Sequence, residues 1–299
     1  MNDRLGGTTT DLDGGNIRYY GASPNNYIYF NCSDYSNQSS STCEVWRIIG
    51  VFDGKVKLIR NTSIGNYSWD NKDKTTGAET DYGKNDWTTA RLMKLLNPSD
   101  YYTVDTNDNG LGQSLYYNSG SGKCYSGQNN ATTDCNFAST GIKNDTTRNL
   151  IAETTWNIGG SGQTDSSPNK IYVYERGTTV YQGRPTTPWK GKIALAYPSD
   201  YGYAAEFGTD KCNSTLDKYN DTTCTSNNWL YKNNIYLWLL NMNNTRSYIC
   251  WGINDTGRAS TEGYDCTNTI SVKPTLYLNE NVMITSGDGS SSSPYQLAN

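Results

Sequence analysis

Short apolar runs punctuate the chain between residues 27 and 60. Tyr27-Ile28-Tyr29-Phe30 reads as one strand and Val45-Trp46-Arg47-Ile48-Ile49-Gly50-Val51-Phe52 as a second. Asp53-Gly54 tolerates positive φ at both positions, which marks a two-residue hairpin turn. Residues 55–60 then alternate polar and apolar, the mark of a half-buried strand. Further on the period lengthens. Trp87, Leu92, Met93 and Leu96 cluster on one side of a helix, with Asp86 placed to cap it and Asn97-Pro98 to stop it. A second helix is expected from a cap at Asp145 through Leu150, Ile151 and Trp156, and a short third from Ser199. Strand patterns return at 235–240, 247–253, 271–278 and 282–285. Within 247–253, Ile249, Trp251 and Ile253 share one face, and Tyr248, Cys250 and Gly252 the other. The polar stretches 61–85, 98–135, 157–170 and 177–188 lie between, lengths that in compact domains go with functional or mobile loops. No internal repeat or linker composition breaks the pattern. The expectation is a strand-rich α+β fold with two to three short helices: a lead segment over 1–26 and a single domain over 27–299.

Composition changes this picture in one respect. Hydrophobic residues make up only 34% of the chain even with tyrosine counted, so a core thin for its length is expected. Eight cysteines offer compensation. Cys32 and Cys43, Cys124 and Cys135, Cys212 and Cys224, and Cys250 and Cys266 form four neighbouring pairs, each enclosing a polar, turn-rich segment. No pair has the tight spacing of a zinc site and the chain has no histidine, so four local disulfides are the expected reading. Such bonds persist in an oxidising compartment, which points to an extracellular or cell-surface location. The first residues lack a signal-peptide pattern, so an export signal or membrane anchor is expected upstream. No apolar run is long enough to span a bilayer. The Asn-x-Ser/Thr matches, Asn31, Asn243 and Asn254 among them, read as chance in an Asn-, Ser- and Thr-rich chain.

The net charge of −4 argues against nucleic acid as a partner. Without histidine the commonest neutral-pH general base is missing, and histidine-dependent serine triads are excluded. Gly159-Gly160-Ser161-Gly162 lacks the Gly-Lys-Ser/Thr of a phosphate loop. A non-enzyme is therefore expected, with no cofactor. Asp105, Asn107 and Asn109, followed by Gly110, resemble the opening of a Ca²⁺ loop, but the twelfth position is Tyr116 where a bidentate Glu belongs. A polar turn is the main reading there and a structural Ca²⁺ the alternative.

Binding remains. The chain has 25 tyrosines, and Tyr, Ser, Asn and Gly together make adaptable contact surfaces. The stretch 231–266 is dense in them, and the contact candidates are Asn233, Asn234, Ile235, Tyr236, Asn243, Arg246, Tyr248, Trp251, Asn254, Arg258 and Tyr264. Trp229, Trp238 and Trp251 read first as strand core, with Trp251 kept among the contacts.

Three ordered blocks then carry a resemblance. They are Glu44-Val45-Trp46-Arg47-Ile48-Ile49 with its Asp53-Gly54 hairpin, Trp189-Lys190-Gly191-Lys192-Ile193-Ala194-Leu195 leading into Pro198-Ser199-Asp200-Tyr201-Gly202, and Trp238-Leu239-Leu240 leading to Val272-Lys273-Pro274-Thr275-Leu276-Tyr277-Leu278. The set resembles bacterial secreted C-type-lectin-like proteins of the formylglycine-generating-enzyme type, some of which are variable proteins of diversity-generating retroelements. The resemblance implies a C-type-lectin-like fold with long inserted loops and a prepilin-like or other anchor upstream. It also implies a diversified receptor-type or adhesin surface over 233–265, displayed by a bacterium or phage and binding a protein or carbohydrate on another cell or surface. The enzymatic branch uses a reactive cysteine pair and copper. Here all eight cysteines have local partners, so no catalytic residue carries over, and Lys273 stands where the family usually has Arg. The alternative role is a structural, pilin-like or surface-assembly subunit.

Overall fold

The hairpin expected near the N-terminus is the spine of the fold. In the computed structural model, which describes residues 16–163, 166–231 and 235–298, the strands Glu44–Phe52 and Lys55–Arg60 pair antiparallel. Asp53 and Gly54 both take positive φ, 49° and 77°, as their turn requires. The register shifts between Ile48 and Gly50. A side chain at Gly50 would collide with the Ile17 carbonyl, its Cβ lying 2.1 Å from that oxygen. The glycine thus admits the short strand Ile17–Arg18 against Glu44–Phe52. Tyr19 and Arg18 are buried, so the described part of the lead segment set apart as 1–26 is built into the same body as the rest.

All pairs in the first sheet are antiparallel. Its order is Ile17–Arg18, Glu44–Phe52, Lys55–Arg60, Thr275–Tyr277 and Ile193–Ala194, with Tyr27–Phe30 also on Glu44–Phe52. The second sheet runs Ala259–Ser260, Cys250–Ile253, Leu237–Met242, Ile270–Ser271 and Asn66–Tyr67. The single strand expected over 271–278 is two strands, one in each sheet. Pro274 sits at the crossing, where a residue without an N–H cannot continue a ladder. Tryptophans tie the second sheet together and to its loops. Trp69 donates to the Leu239 carbonyl, Trp238 to that of Tyr67 and Trp251 to that of Ser161.

Five short α-helices lie among the described residues. The helix expected from Trp87 begins only at Arg91 (Arg91–Leu96), because Asp86 accepts from the amide and hydroxyl of Thr88 and holds 86–89 as a turn. The second is capped by Asn144 rather than Asp145. It ends at Leu150, since Trp156 belongs to a strand, Thr154–Trp156, paired with Trp189–Gly191. The third is Pro198–Tyr203. A further helix, Pro168–Arg176, straddles a stretch expected as loop. Its buried residues are Pro168, Ile171, Tyr172 and Glu175, and the last two carry polar groups that mask the apolar period in the sequence. A hairpin of Ser121–Tyr125 and Thr132–Asn136 occupies another expected loop. The strands expected at 235–240, 247–253 and 282–285 are observed at Leu237–Met242, Cys250–Ile253 and Ile284–Ser286.

The four disulfides are 32–43, 124–135, 212–224 and 250–266, with sequence separations of 11, 11, 12 and 16, and no cysteine is free. Contrary to the expectation of a thin core, one continuous buried cluster runs through the molecule. Six tryptophans are fully buried, Trp46, Trp69, Trp87, Trp156, Trp238 and Trp251. Ten of the 25 tyrosines are buried with them, which supplies the volume that aliphatic residues lack.

Buried ions anchor the polar stretches. Asp70 holds Lys72 at 2.9 Å and accepts from the amides of Lys84 and Arg91. Asp108 holds Arg91 and Lys94. Asp200 pairs with Arg18 at 3.2 Å and Lys57 at 2.5 Å while its Oδ2 accepts from the Tyr197 amide.

Candidate binding surface

The expected contact segment is built on two strands of the second sheet. Leu237–Met242 and Cys250–Ile253 pair antiparallel, with Leu237 opposite Ile253 and Met242 opposite Cys250. An asparagine shapes each of the two turns that flank them. Asn243 Oδ1 accepts from the amides of Thr245 and Arg246 and from the Thr245 hydroxyl, while its Nδ2 donates to Thr261. Asn254 Oδ1 accepts from the amides of Thr256 and Arg258 and from the Thr256 hydroxyl. These are local turns of the kind Asn favours, and they occupy the side-chain oxygens that would otherwise meet a ligand.

Three expected contacts are buried, which corrects that part of the reading. Trp251 is 0% exposed, Tyr264 5% and Asn243 6%. The strand Cys250–Ile253 is covered on both faces. Trp251 points to Ser161 on one, and on the other the Tyr264 ring lies against Gly252, where an added Cβ would come within 3.1 Å of it. Asn233 and Asn234 lie outside the described residues.

Tyr236, Arg246, Tyr248 and Arg258 remain at the surface or half-buried, with Ile235 half-buried beside Tyr236. They fall at two ends. At one, Tyr236 leans on Tyr264, with ring centroids 6.4 Å apart. The negative charge of Asp255, close by, raises the Tyr236 hydroxyl's pKa. Tyr231 donates to the Asp255 carbonyl, and Arg258 reaches the Asp217 carbonyl at 2.7 Å and Glu262 at 3.2 Å. At the other end, Tyr248 packs on Tyr82 at 5.4 Å. Burial raises the Asp265 carboxyl there, with Arg246 partly offsetting it.

The loop 243–249 is held from behind. Asn85 donates to the carbonyls of Asn243 and Arg246, and Arg184 bonds Asn85, Glu79 and the Ser247 carbonyl. Sequence reasoning missed Tyr82, Asn85 and Arg184. They lie in polar stretches far from 233–265, and only folding brings them there. Tyr82 and Tyr236, at 49% and 44%, are the two most exposed aromatic side chains among the described residues, and each leans on this segment.

The Ca²⁺-like motif forms a local turn. Asp105 accepts from the Asn107 amide and caps Thr106–Asp108, Asn109 takes φ 47°, and the Asn107 carbonyl accepts from Tyr125. Asp108, off the ligand pattern, turns inward to Arg91 and Lys94. No group of three or more His, Cys, Asp or Glu gathers for a metal among the described residues.

Glu175 and Lys57 have strongly displaced pKa values. Burial pushes Glu175 up to about 7, against the pull of Arg176 and of its bonds from Ser199, and burial pushes Lys57 down to about 8, against the pull of Asp200. Both side chains are enclosed in the ion cluster around Asp200. That carboxyl, raised by burial, is held below its ordinary value because Lys57 and Arg18 outweigh the burial. No protein-family model, no curated protein and no solved structure matches the chain.

Proposed function

We propose that this chain is an extracellular ligand-binding domain of C-type-lectin-like fold, resembling the variable proteins of diversity-generating retroelements. Its contacts lie at the two ends of the strand pair Leu237–Met242 and Cys250–Ile253. The observation that carries this reading is the placement of Tyr82 and Tyr236. In a chain that buries most of its aromatic area, its two most exposed rings both rest on the segment in question. Exposed tyrosine on a rigid support gives large contact area at low conformational cost. The 250–266 disulfide and the turns at Asn243 and Asn254 supply that support. Four disulfides accord with an oxidising, extracellular setting. No helix among the described residues is long and apolar enough to cross a membrane.

The ligand is taken to be a protein or glycan on another cell or surface. Labelled chain applied to a glycan array and to intact bacterial cells tests this. Tyr236→Ala and Tyr82→Ala should each lower retention at least tenfold, the scale of a lost aromatic hot spot, with unchanged melting. Equal retention of both variants overturns the surface. Sibling copies of the gene give a second test. Differences should concentrate at Ile235, Tyr236, Arg246, Tyr248 and Arg258 and spare Trp251, Tyr264, Asn243 and Asn254.

One observation favours the assembly role instead. Met283 and Ile284, at 65% and 46%, expose apolar surface on and beside a strand whose residues are all exposed, and exposed apolar strands invite pairing between chains.

A further inference from the structure

A cavity of about 540 Å³ opens beside the tip of the first hairpin, well within the size range of small-molecule sites. None of its lining residues belongs to the 235–265 surface. Phe52, Tyr197 and Tyr277 give it aromatic walls, and Thr154 and Asn157 give it polar ones.

Several of these polar groups have hydrogen-bonding capacity that the protein leaves unused. Thr154 Oγ1 is buried and meets no partner among the described residues. The Tyr197 hydroxyl accepts from the Asn157 amide at 2.7 Å, and no protein acceptor takes its own proton among the described residues. The Tyr277 hydroxyl and the Asn157 side-chain amide also lack protein partners among those residues. Buried polar groups are ordinarily paired, so the buried Thr154 hydroxyl asks for a partner from outside the chain, and the unused capacity of Tyr197, Tyr277 and Asn157 lies on the same wall. Unpartnered hydroxyls elsewhere in the core, Tyr116 among them, do not line this cavity.

Charge decides the class of that partner. The wall carries Lys55 and Arg176 against Asp53 and Glu153, equal numbers of each sign. Lys55 and Glu153 are further engaged by Glu280 and Lys190. Behind the wall, Arg18 and Lys57 pair with Asp200, and Arg176 itself pairs with Glu175. Among the described residues of the wall, no excess of either sign selects an ion. Hydroxyls and an amide, which both donate and accept, beside aromatic rings suit a neutral ligand rich in hydroxyls.

We propose that this cavity is a subsite for one neutral sugar unit, formed by Tyr197, Tyr277, Thr154 and Asn157. It does not rest on the surface reading above, and the two fail separately.

Saturation-transfer NMR on the full chain tests it, with the methyl glycosides of glucose, galactose and N-acetylglucosamine as probes and citrate as the anionic comparator. At least one glycoside should give a signal that falls at least fivefold in Tyr277→Phe and in Thr154→Val and is kept in Tyr236→Ala. The hydroxyls removed bond nothing among the described residues, so neither cavity variant should melt lower than the parent. The subsite is overturned if no glycoside gives a signal or if citrate alone does. It is also overturned if the sugar signal survives both cavity substitutions, or is lost in Tyr236→Ala instead.

Discussion

At the scale of single residues, tyrosine and asparagine change their meaning between sequence and structure. A Tyr- and Asn-rich stretch suggests a contact surface, yet Tyr264 is packed into the core and Asn243 and Asn254 build turns. Asn31, a match to the glycan acceptor pattern, is fully buried at φ 53° and cannot present a glycan. Replacing Asn254 with alanine removes three local bonds to a partly exposed turn and should lower stability by about 1 kcal/mol in chemical denaturation. Asp200 is a larger case. Its loss as Asp200→Ala would leave Arg18 and Lys57 buried without their carboxylate, so a drop of about 3–5 kcal/mol is expected by the same measurement.

Glu175 predicts a pH dependence. Its folded pKa of about 7 lies above its ordinary 4.5, so the folded chain keeps a proton that the unfolded chain has lost. Stability from this group is complete below pH 4.5 and falls as pH rises toward 7. The stability of Glu175→Gln relative to the parent should therefore climb across that window and level off above it, in denaturation curves at a series of pH values. A flat difference would show that the carboxyl is not held protonated.

At the scale of elements, the legible parts were those where local chemistry agrees with the final structure. Asp53-Gly54 can take positive φ, residues 55–60 alternate, and both survive intact in the first hairpin. Pro168–Arg176 was not legible, because the side chains it buries include Tyr172 and Glu175, whose partners arrive from distant segments. The strand expected over 271–278 failed for a related reason. Its apolar pattern is continuous, but Lys273-Pro274 carries the chain from one sheet to the other. The disulfides were legible because each joins near neighbours. Replacing Cys250 and Cys266 together by alanine should cost about 3 kcal/mol for a loop of this length, read from denaturant midpoints under non-reducing conditions. If the bridge rigidifies the contact surface, the same variant should also release bound ligand faster.

At the scale of the whole molecule, two antiparallel-rich sheets share one core of tryptophan, tyrosine and buried ion pairs. This arrangement explains how a chain with few aliphatic residues folds around long polar stretches. The stretch 61–85 contributes Trp69 and Asp70, 98–135 contributes Asp108 and 177–188 contributes Arg184, each met by partners from neighbouring segments. Oligomeric behaviour is the prediction that belongs at this scale. The binding reading expects a monodisperse monomer in size-exclusion chromatography with light scattering across a wide range of concentration. Concentration-dependent growth that Met283→Lys and Ile284→Lys together abolish would favour the assembly role instead.

By itself the sequence determined the first hairpin, the pairing of near cysteines and the α+β character, because turn propensity, alternation and short loop closure act over a few residues. Only the tertiary structure decided which tyrosines face water, which asparagines build turns, and that Tyr82, Asn85 and Arg184 stand behind or beside 235–265. Exposure and hydrogen-bond partnership are properties of what arrives from elsewhere in the chain, and no local pattern carries them.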